Sequence, residues 1–334
     1  MTRVAAIDCG TNSIRLLVAD VDPATGEVTD LDRRMTIVRL GQGVDRTGRL
    51  APEALERTFA ACREYAAVIK EYGAERLRFV ATSASRDAEN RDDFVRGVLD
   101  VLGVEPEVIT GDQEAEFSFT GATRELTRDT AGTGAGAGTG SGSGTGAGTG
   151  AGSGTGAGSG EYLVVDIGGG STEFVVGTSH ARAARSVDIG CVRLTERHVQ
   201  GDPVSEAEVA AIRADVEAAL DLAEETVPLR EADTLVGLAG SVTTVAAVAL
   251  GLTAYDSAAI HRSRISYEQV AEVTARLLAA THDERAAIPV IHPGRVDVIA
   301  SGALVLLAVM ERTGAREVVV SEHDILDGIA LSLV

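Results

Sequence analysis

Two stretches of this 334-residue chain, AAIDCGTNSIRLLVAD (residues 5–20) and LVVDIGGGSTEFVVG (residues 163–177), decide how it folds. Each passes from an apolar, partly β-branched segment into an aspartate, then a Gly/Ser/Thr turn, then a second apolar segment. That pattern predicts a β-hairpin with a polar, glycine-rich tip. Asp8 aligns with Asp166, Gly10 with Gly168 and Ser13 with Ser171, all at one offset, so two homologous lobes are expected. A glycine-rich tip offers backbone N–H groups with no side chain in the way, a concavity suited to phosphate oxygens. One such tip is ordinary. Two at matching positions of a duplicated fold point to one phosphate chain gripped from both sides.

Outward from the hairpins, helix and strand alternate. Helices are predicted over 53–72, 87–102, from 112, over 205–226, from 241, over 267–280 and 295–312, and from 324. Pro52 opens the first, and Ser205 with Glu208 forms a capping-box entry to the helix at 205. Strands are predicted over 77–81, 107–109, 234–238 and 317–320. The alternation indicates an α/β fold of layered lobes. The expected division is an N-terminal lobe over 1–125 and a C-terminal lobe over 161–321, with the last helix, about 322–334, a candidate to pack on the first lobe. Residues 131–160, where Gly alternates with Ala, Thr and Ser, read as a disordered insertion. Such a run fills no core, and added loop length costs little stability.

Apolar residues make up 45% of the chain, enough for two cores. No apolar run approaches the ~20 residues of a membrane-spanning helix. No leader is read ahead of Val4-Ala5-Ala6-Ile7, so the cytoplasm is the expected compartment. Cys9, Cys62 and Cys191 lie far apart without a CxxC pair, which fits reduced thiols. The six histidines show no zinc-ligand spacing. A net charge of −20 argues against a nucleic-acid polymer as partner. A smaller polyanion must then be held by local devices: backbone amides, a few arginines and a divalent cation.

DCGTNSIRLLV (8–18) and DIGGGSTE (166–173) resemble the two phosphate loops of the actin, sugar-kinase and heat-shock-protein ATPase superfamily. Within it, the chain most resembles the exopolyphosphatase and guanosine pentaphosphate phosphohydrolase family. Further stretches agree in order: ATSASRDAENRDDF (81–94), ITGDQEAEFSFTG (109–121), DIGCVRLTERH (188–198), GLAGSVTTVAA (237–247), HPGRVDVIASGALVL (292–306) and VSEHDILDGI (320–329). The resemblance spans nearly everything outside the Gly-rich run, and is to the short members that lack a C-terminal helical domain. It implies two ribonuclease-H-like lobes with an active cleft between them.

The resemblance also implies roles. Gly10, Thr11, Asn12 and Ser13 on one loop, and Gly168, Gly169, Gly170 and Ser171 on the other, would bind substrate phosphates. Asp8 and Asp166 would hold Mg²⁺, although a turn-capping aspartate is the plainer reading of each. Glu114 would activate water, with Glu173 as the second carboxylate of the cleft. By spacing alone, Glu114 is one more solvated glutamate beside Asp112 and Glu116. Arg86, with Asn90 one turn beyond it, would reach the phosphates, and Arg193 is a further candidate. Gly240 and Ser241 open a helix after a strand, where amides can bind an anion. Ser241 stands where threonine is expected, and Gln113 where a second glutamate is frequent.

The implied activity is Mg²⁺-dependent release of terminal orthophosphate from inorganic polyphosphate. Guanosine pentaphosphate, a molecule of the stringent response, is the alternative substrate. A kinase of the same superfamily and a non-catalytic polyphosphate or nucleotide sensor stay open, and a homodimer is a candidate assembly.

Overall fold

Apolar segments too continuous for one wet face must be buried on both, and here they form two covered sheets. The computed structural model describes residues 1–133 and 160–334. The first sheet holds β1 (Thr2–Cys9), β2 (Ser13–Val21), β3 (Val28–Ile37), β4 (Arg76–Ala81) and β5 (Glu107–Val108) in the order β3-β2-β1-β4-β5. The first three strands pair antiparallel, and β4 and β5 join in parallel. The second sheet holds β6 (Tyr162–Ile167), β7 (Thr172–Gly177), β8 (Ala181–Val187), β9 (Thr234–Leu238), β10 (Arg264–Ser266) and β11 (Glu317–Val320) in the order β10-β11-β9-β6-β7-β8. Apart from β10, added antiparallel at one edge, it repeats the order and directions of the first. The repeat is the duplication that the two hairpins predicted, in the ribonuclease-H-like arrangement that the resemblance implied.

Side chains alternate across each strand and reach two cores. On β1, Ala5, Ile7 and Cys9 face Tyr65 and Phe94 of the helices Pro52–Tyr72 and Arg91–Leu102. Val4 and Ala6 face Ile325, Leu326 and Ile329 of the helix Ile325–Leu331. On β6, Leu163, Val165 and Ile167 join the largest core, and Tyr162 and Val164 meet Ala115 and Phe119 of the helix Gly111–Thr133. That helix leaves the first sheet yet packs on the second, while the last helix of the chain packs on the first. The two cross at glycines. A Cβ on Gly121 would stand 1.9 Å from the Asp324 carbonyl oxygen, and one on Gly328 2.1 Å from that of Phe117.

Two helices differ from expectation. The one read over 87–102 is split into Ser83–Asp87 and Arg91–Leu102. Between them Glu89 N–H donates to the Gly48 carbonyl at 2.9 Å and Asn90 Oδ1 accepts from Leu50 N–H at 2.8 Å, which draws the backbone off the helix axis. The one read from 295 starts at Ile299, after a 3₁₀ turn over Pro293–Arg295. The Gly-rich stretch 131–160 lies outside the described residues except at its two ends.

Candidate active site

Both hairpin tips close on the same bond. Gly10 N–H donates to the Ser13 carbonyl at 3.0 Å, and Gly168 N–H to that of Ser171 at 3.1 Å. The carbonyls in between are held from outside. That of Thr11 accepts from Gly41 N–H at 2.8 Å, and those of Gly168 and Gly169 accept from Cys191 and Val192 N–H at 3.0 and 2.9 Å. Cys191 and Val192 begin the helix Cys191–His198. The Gly170 carbonyl accepts from Arg193 Nε at 2.8 Å. In a trans peptide each N–H lies opposite the preceding carbonyl. The N–H groups of Asn12, Gly169 and Ser171 therefore turn away from these supports, and all three residues line one cleft. The tips also touch: a Cβ on Gly169 would lie 3.0 Å from Thr11 Cβ.

The acids behind the tips have diverged between the lobes. Asp8 stands opposite Arg15 on β2, whereas Asp166 stands opposite Glu173 on β7. Arg15 Nη2 reaches Asp8 Oδ2 at 2.7 Å, and its Nη1 pairs with Asp324 at the start of the last helix. Asp8 Oδ1 stays buried with no hydrogen-bond partner among the described residues. Asp166 Oδ2 accepts from Ser118 Oγ at 2.6 Å. Glu173, 1% exposed, accepts from Ser186 Oγ at 2.7 Å.

Glu114 sits in the first turn of the helix Gly111–Thr133. That turn is set by a reciprocal cap: Gln113 N–H donates to Thr110 Oγ1 at 3.3 Å and Thr110 N–H to Gln113 Oε1 at 3.0 Å. Gln113 is thus occupied by the cap, and its being an amide removes no carboxylate from the cleft. Burial pushes the Glu114 carboxyl up to about 8, against the lowering pull of Arg86 and with Asp8 and Asp166 reinforcing the rise. Burial likewise pushes Asp166 up to about 6. Glu173 is driven well above the usual carboxylate range by burial first, then by Glu114 and Asp166.

Of the residues singled out in the sequence, Asp8, Gly10, Thr11, Asn12, Ser13, Glu114, Asp166, Gly168, Gly169, Ser171, Gly240 and Ser241 line this cleft, a cavity of about 90 Å³. Glu173 and Gly170 are buried and do not line it. Three residues expected near the phosphates, Arg86, Asn90 and Arg193, do not line the cleft and have partners within the fold. Arg86, expected on the phosphates, donates from Nη1 to Glu114 Oε2 at 3.2 Å and to the Ile109 carbonyl at 2.9 Å. Asn90, expected to help it, has both amide atoms on Leu50, at 2.8 and 3.2 Å. Arg193 is taken up by Asp45, Asp87 and Gly170.

Two other arginines reach the cleft. Arg15 and Arg295 both line the cleft. Arg295 lies against Gly240, whose added Cβ would meet its Nη2 at 2.2 Å. It hydrogen-bonds Thr244 Oγ1 at 3.4 Å and makes no ion pair among the described residues, and burial pushes its guanidinium down. Arg295 falls in HPGRVD and Arg15 in the first loop, so both lay in quoted motifs. Only the fold says which arginines of those motifs face the cleft.

Magnesium takes oxygen donors, keeps several waters, and is commonly held by one or two carboxylates plus substrate phosphates. The unpartnered Asp8 Oδ1 facing the same cleft as Asp166 fits that demand. Among the described residues no three Asp, Glu, His or Cys side chains form a closed cage. Amides, arginines and an open carboxylate pair around one buried glutamate can bind a phosphate chain and orient water against its end.

The sequence profile of the Ppx/GppA phosphatase family matches residues 17–142 and 147–334. The chain is similar to exopolyphosphatase 2 of Mycobacterium tuberculosis, with 50% identity over 344 residues, covering 100% of this chain and 99% of that protein. It is similar at 28% identity to a guanosine-5'-triphosphate,3'-diphosphate pyrophosphatase of Aeromonas salmonicida, covering 98% of this chain and 59% of that protein. Among solved structures, an exopolyphosphatase-like protein superposes with a TM-score of 0.87 at 41% identity, covering 99% of this chain and 97% of its own.

Proposed function

The chain belongs to the Ppx/GppA phosphatase family, and from that premise we propose that it is an exopolyphosphatase, releasing terminal orthophosphate from inorganic polyphosphate with Mg²⁺. The observation that carries this reading is the buried Glu114 in the same cleft as two facing phosphate loops. The relative similar over its whole length is named an exopolyphosphatase, and the pyrophosphatase relative is more distant.

In this mechanism the N–H groups of Asn12, Gly169 and Ser171 hold the terminal phosphates, and Arg15 and Arg295 add positive charge. Thr11, Ser13, Gly240 and Ser241 complete the wall. Asp8 and Asp166 would hold Mg²⁺, which when bound would offset charge on the phosphate oxygens. Glu114 Oε takes the proton of the attacking water, and Arg86 holds that carboxylate in place. Glu173, one layer back, acts through its neighbours Ser171 and Asp166 and does not meet the substrate. The cytoplasm is the proposed compartment, supported by three unpaired, buried cysteines. No helix among the described residues is long and apolar enough to cross a membrane.

One observation favours guanosine pentaphosphate as a second reading. Past Arg295 lies a cavity of about 450 Å³ walled by Tyr255, Val290, Ile291 and Pro293 and edged by Arg33 and Arg34. Apolar walls beside arginines suit a nucleoside that carries phosphates.

The test is phosphate release with Mg²⁺ from short polyphosphate, long polyphosphate and guanosine pentaphosphate in parallel. Release from polyphosphate is expected, with Glu114→Gln slower by at least about 100-fold. Faster release from guanosine pentaphosphate would move the assignment to the second reading. Binding without release would leave a sensor and remove the role given to Glu114.

A further inference from the structure

Arg193 places each of its three nitrogens on a different neighbour. Nε donates to the Gly170 carbonyl at 2.8 Å, Nη1 pairs with Asp45 Oδ1 at 2.6 Å and Nη2 with Asp87 Oδ2 at 2.5 Å. Gly170 belongs to the second phosphate loop. Asp45 and Asp87 belong to the other lobe, and Asp87 ends the short helix whose Ser83 meets Thr11 of the first loop at 2.8 Å. The Arg193 side chain is 13% exposed and its bond to Gly170 is part-buried, while Asp45 and Asp87, at 27% and 33%, meet it at the edge of the solvent. The helix Cys191–His198, which carries Arg193, grips the segment around Asp45 twice more. Arg197 pairs with Asp45 at 3.1 Å, and Glu196 accepts the Gly43 N–H at 3.0 Å.

The consequence lies in the backbone. Holding the Gly170 carbonyl on one side fixes the next N–H, that of Ser171, on the other. We propose that Arg193 is a positioning residue that couples the meeting of the two lobes to the aim of the Ser171 N–H at a bound phosphate. This rests on the reading of the cleft as a polyphosphate site. When the lobes part, Asp45 and Asp87 withdraw from the guanidinium, its hold on Gly170 loosens, and Ser171 loses its aim. A phosphate chain that engages Ser171 therefore favours the joined lobes. Lysine cannot substitute, because one nitrogen cannot serve three separate acceptors in a rigid fork.

The experiment compares the full chain with R193A, R193K and the double variant D45N/D87N. For tripolyphosphate, KM is expected to rise about tenfold in R193A and in the double variant, since small misplacements of binding groups have effects of that order or larger. The kcat is expected to stay within about threefold, because the grip is lost equally from bound substrate and transition state. R193K is expected to follow R193A. Hydrogen exchange without ligand is expected to be about tenfold faster over residues 168–171 in the same variants, and unchanged in β6 and β9. Unaltered KM and exchange in R193A would overturn the proposal. An effect in R193A absent from D45N/D87N would overturn the coupling between lobes. Should R193A fail to fold, R193K and the double variant carry the same comparison. Exchange needs no turnover, so a chain that released no phosphate would remove the exopolyphosphatase reading while the exchange rates still tested Arg193.

Discussion

At Glu114, burial and Arg86 pull in opposite directions. Burial favours the neutral carboxyl, up to about 8, and the Arg86 guanidinium favours the carboxylate that a proton acceptor needs. Replacing Arg86 by methionine removes the lowering influence. The acidic limb of the kcat profile is then expected to move to higher pH, with kcat at about pH 6 falling on the order of tenfold. A limb that stayed in place would show that Arg86 does not tune Glu114. The sequence put Arg86 on the substrate because an arginine in a phosphate-binding motif invites that reading. The fold aims it at the carboxylate, and the split after Asp87 carries Asn90 away to Leu50. Arg15 was missed for the converse reason. Its role depends on standing opposite Asp8 across a hairpin, a relation of register.

Among the elements, the crossing of the helices Gly111–Thr133 and Ile325–Leu331 matters most for the site. One carries Glu114, and the segment opening the other carries Asp324, the partner of Arg15. Contact at Gly328 is backbone to backbone, so an added methyl cannot be absorbed by a flexible side chain. Gly328→Ala is expected to destabilise the fold by about 2 kcal/mol, read as a lower denaturant midpoint. A midpoint like that of the parent chain would mean the helices separate freely. Most elements were legible from periodicity and caps, including the Ser205/Glu208 capping box. β3 and β8 were not, because edge strands with many polar residues give little periodic signal.

For the whole molecule, the cluster Asp8, Glu114, Asp166 and Glu173 links stability to pH. Each holds its proton more tightly folded than unfolded, so the folded state carries protons that unfolding releases. Their contribution is fully present below the ordinary carboxylate range. It is lost as pH rises through about 6 for Asp166 and about 8 for Glu114. The metal-free Tm is therefore expected to fall between about pH 5 and pH 8, and Mg²⁺ to raise it more at the upper end. Calorimetry at the two pH values checks this. The net charge of −20 adds its own repulsion, so Glu173→Gln serves as the discriminating variant and is expected to flatten the fall. An unchanged slope in that variant would assign the effect to net charge alone.

By itself, the sequence determined the duplicated hairpins, their glycine-rich tips and the α/β class. Those follow from local patterns: period-two burial, turn glycines and the spacing of Asp8 and Asp166. The tertiary structure alone decided which charges share the cleft. Glu114, solvated by any local reading, is buried because its helix crosses from the first lobe onto the second sheet. Arg295 enters from more than a hundred residues beyond the second loop, and Arg193 leaves the substrate side to tie Asp45, Asp87 and Gly170. A carboxylate or guanidinium takes its proton affinity and its partners from burial and from charges a few ångströms away. In a two-lobed molecule those neighbours come from distant parts of the chain.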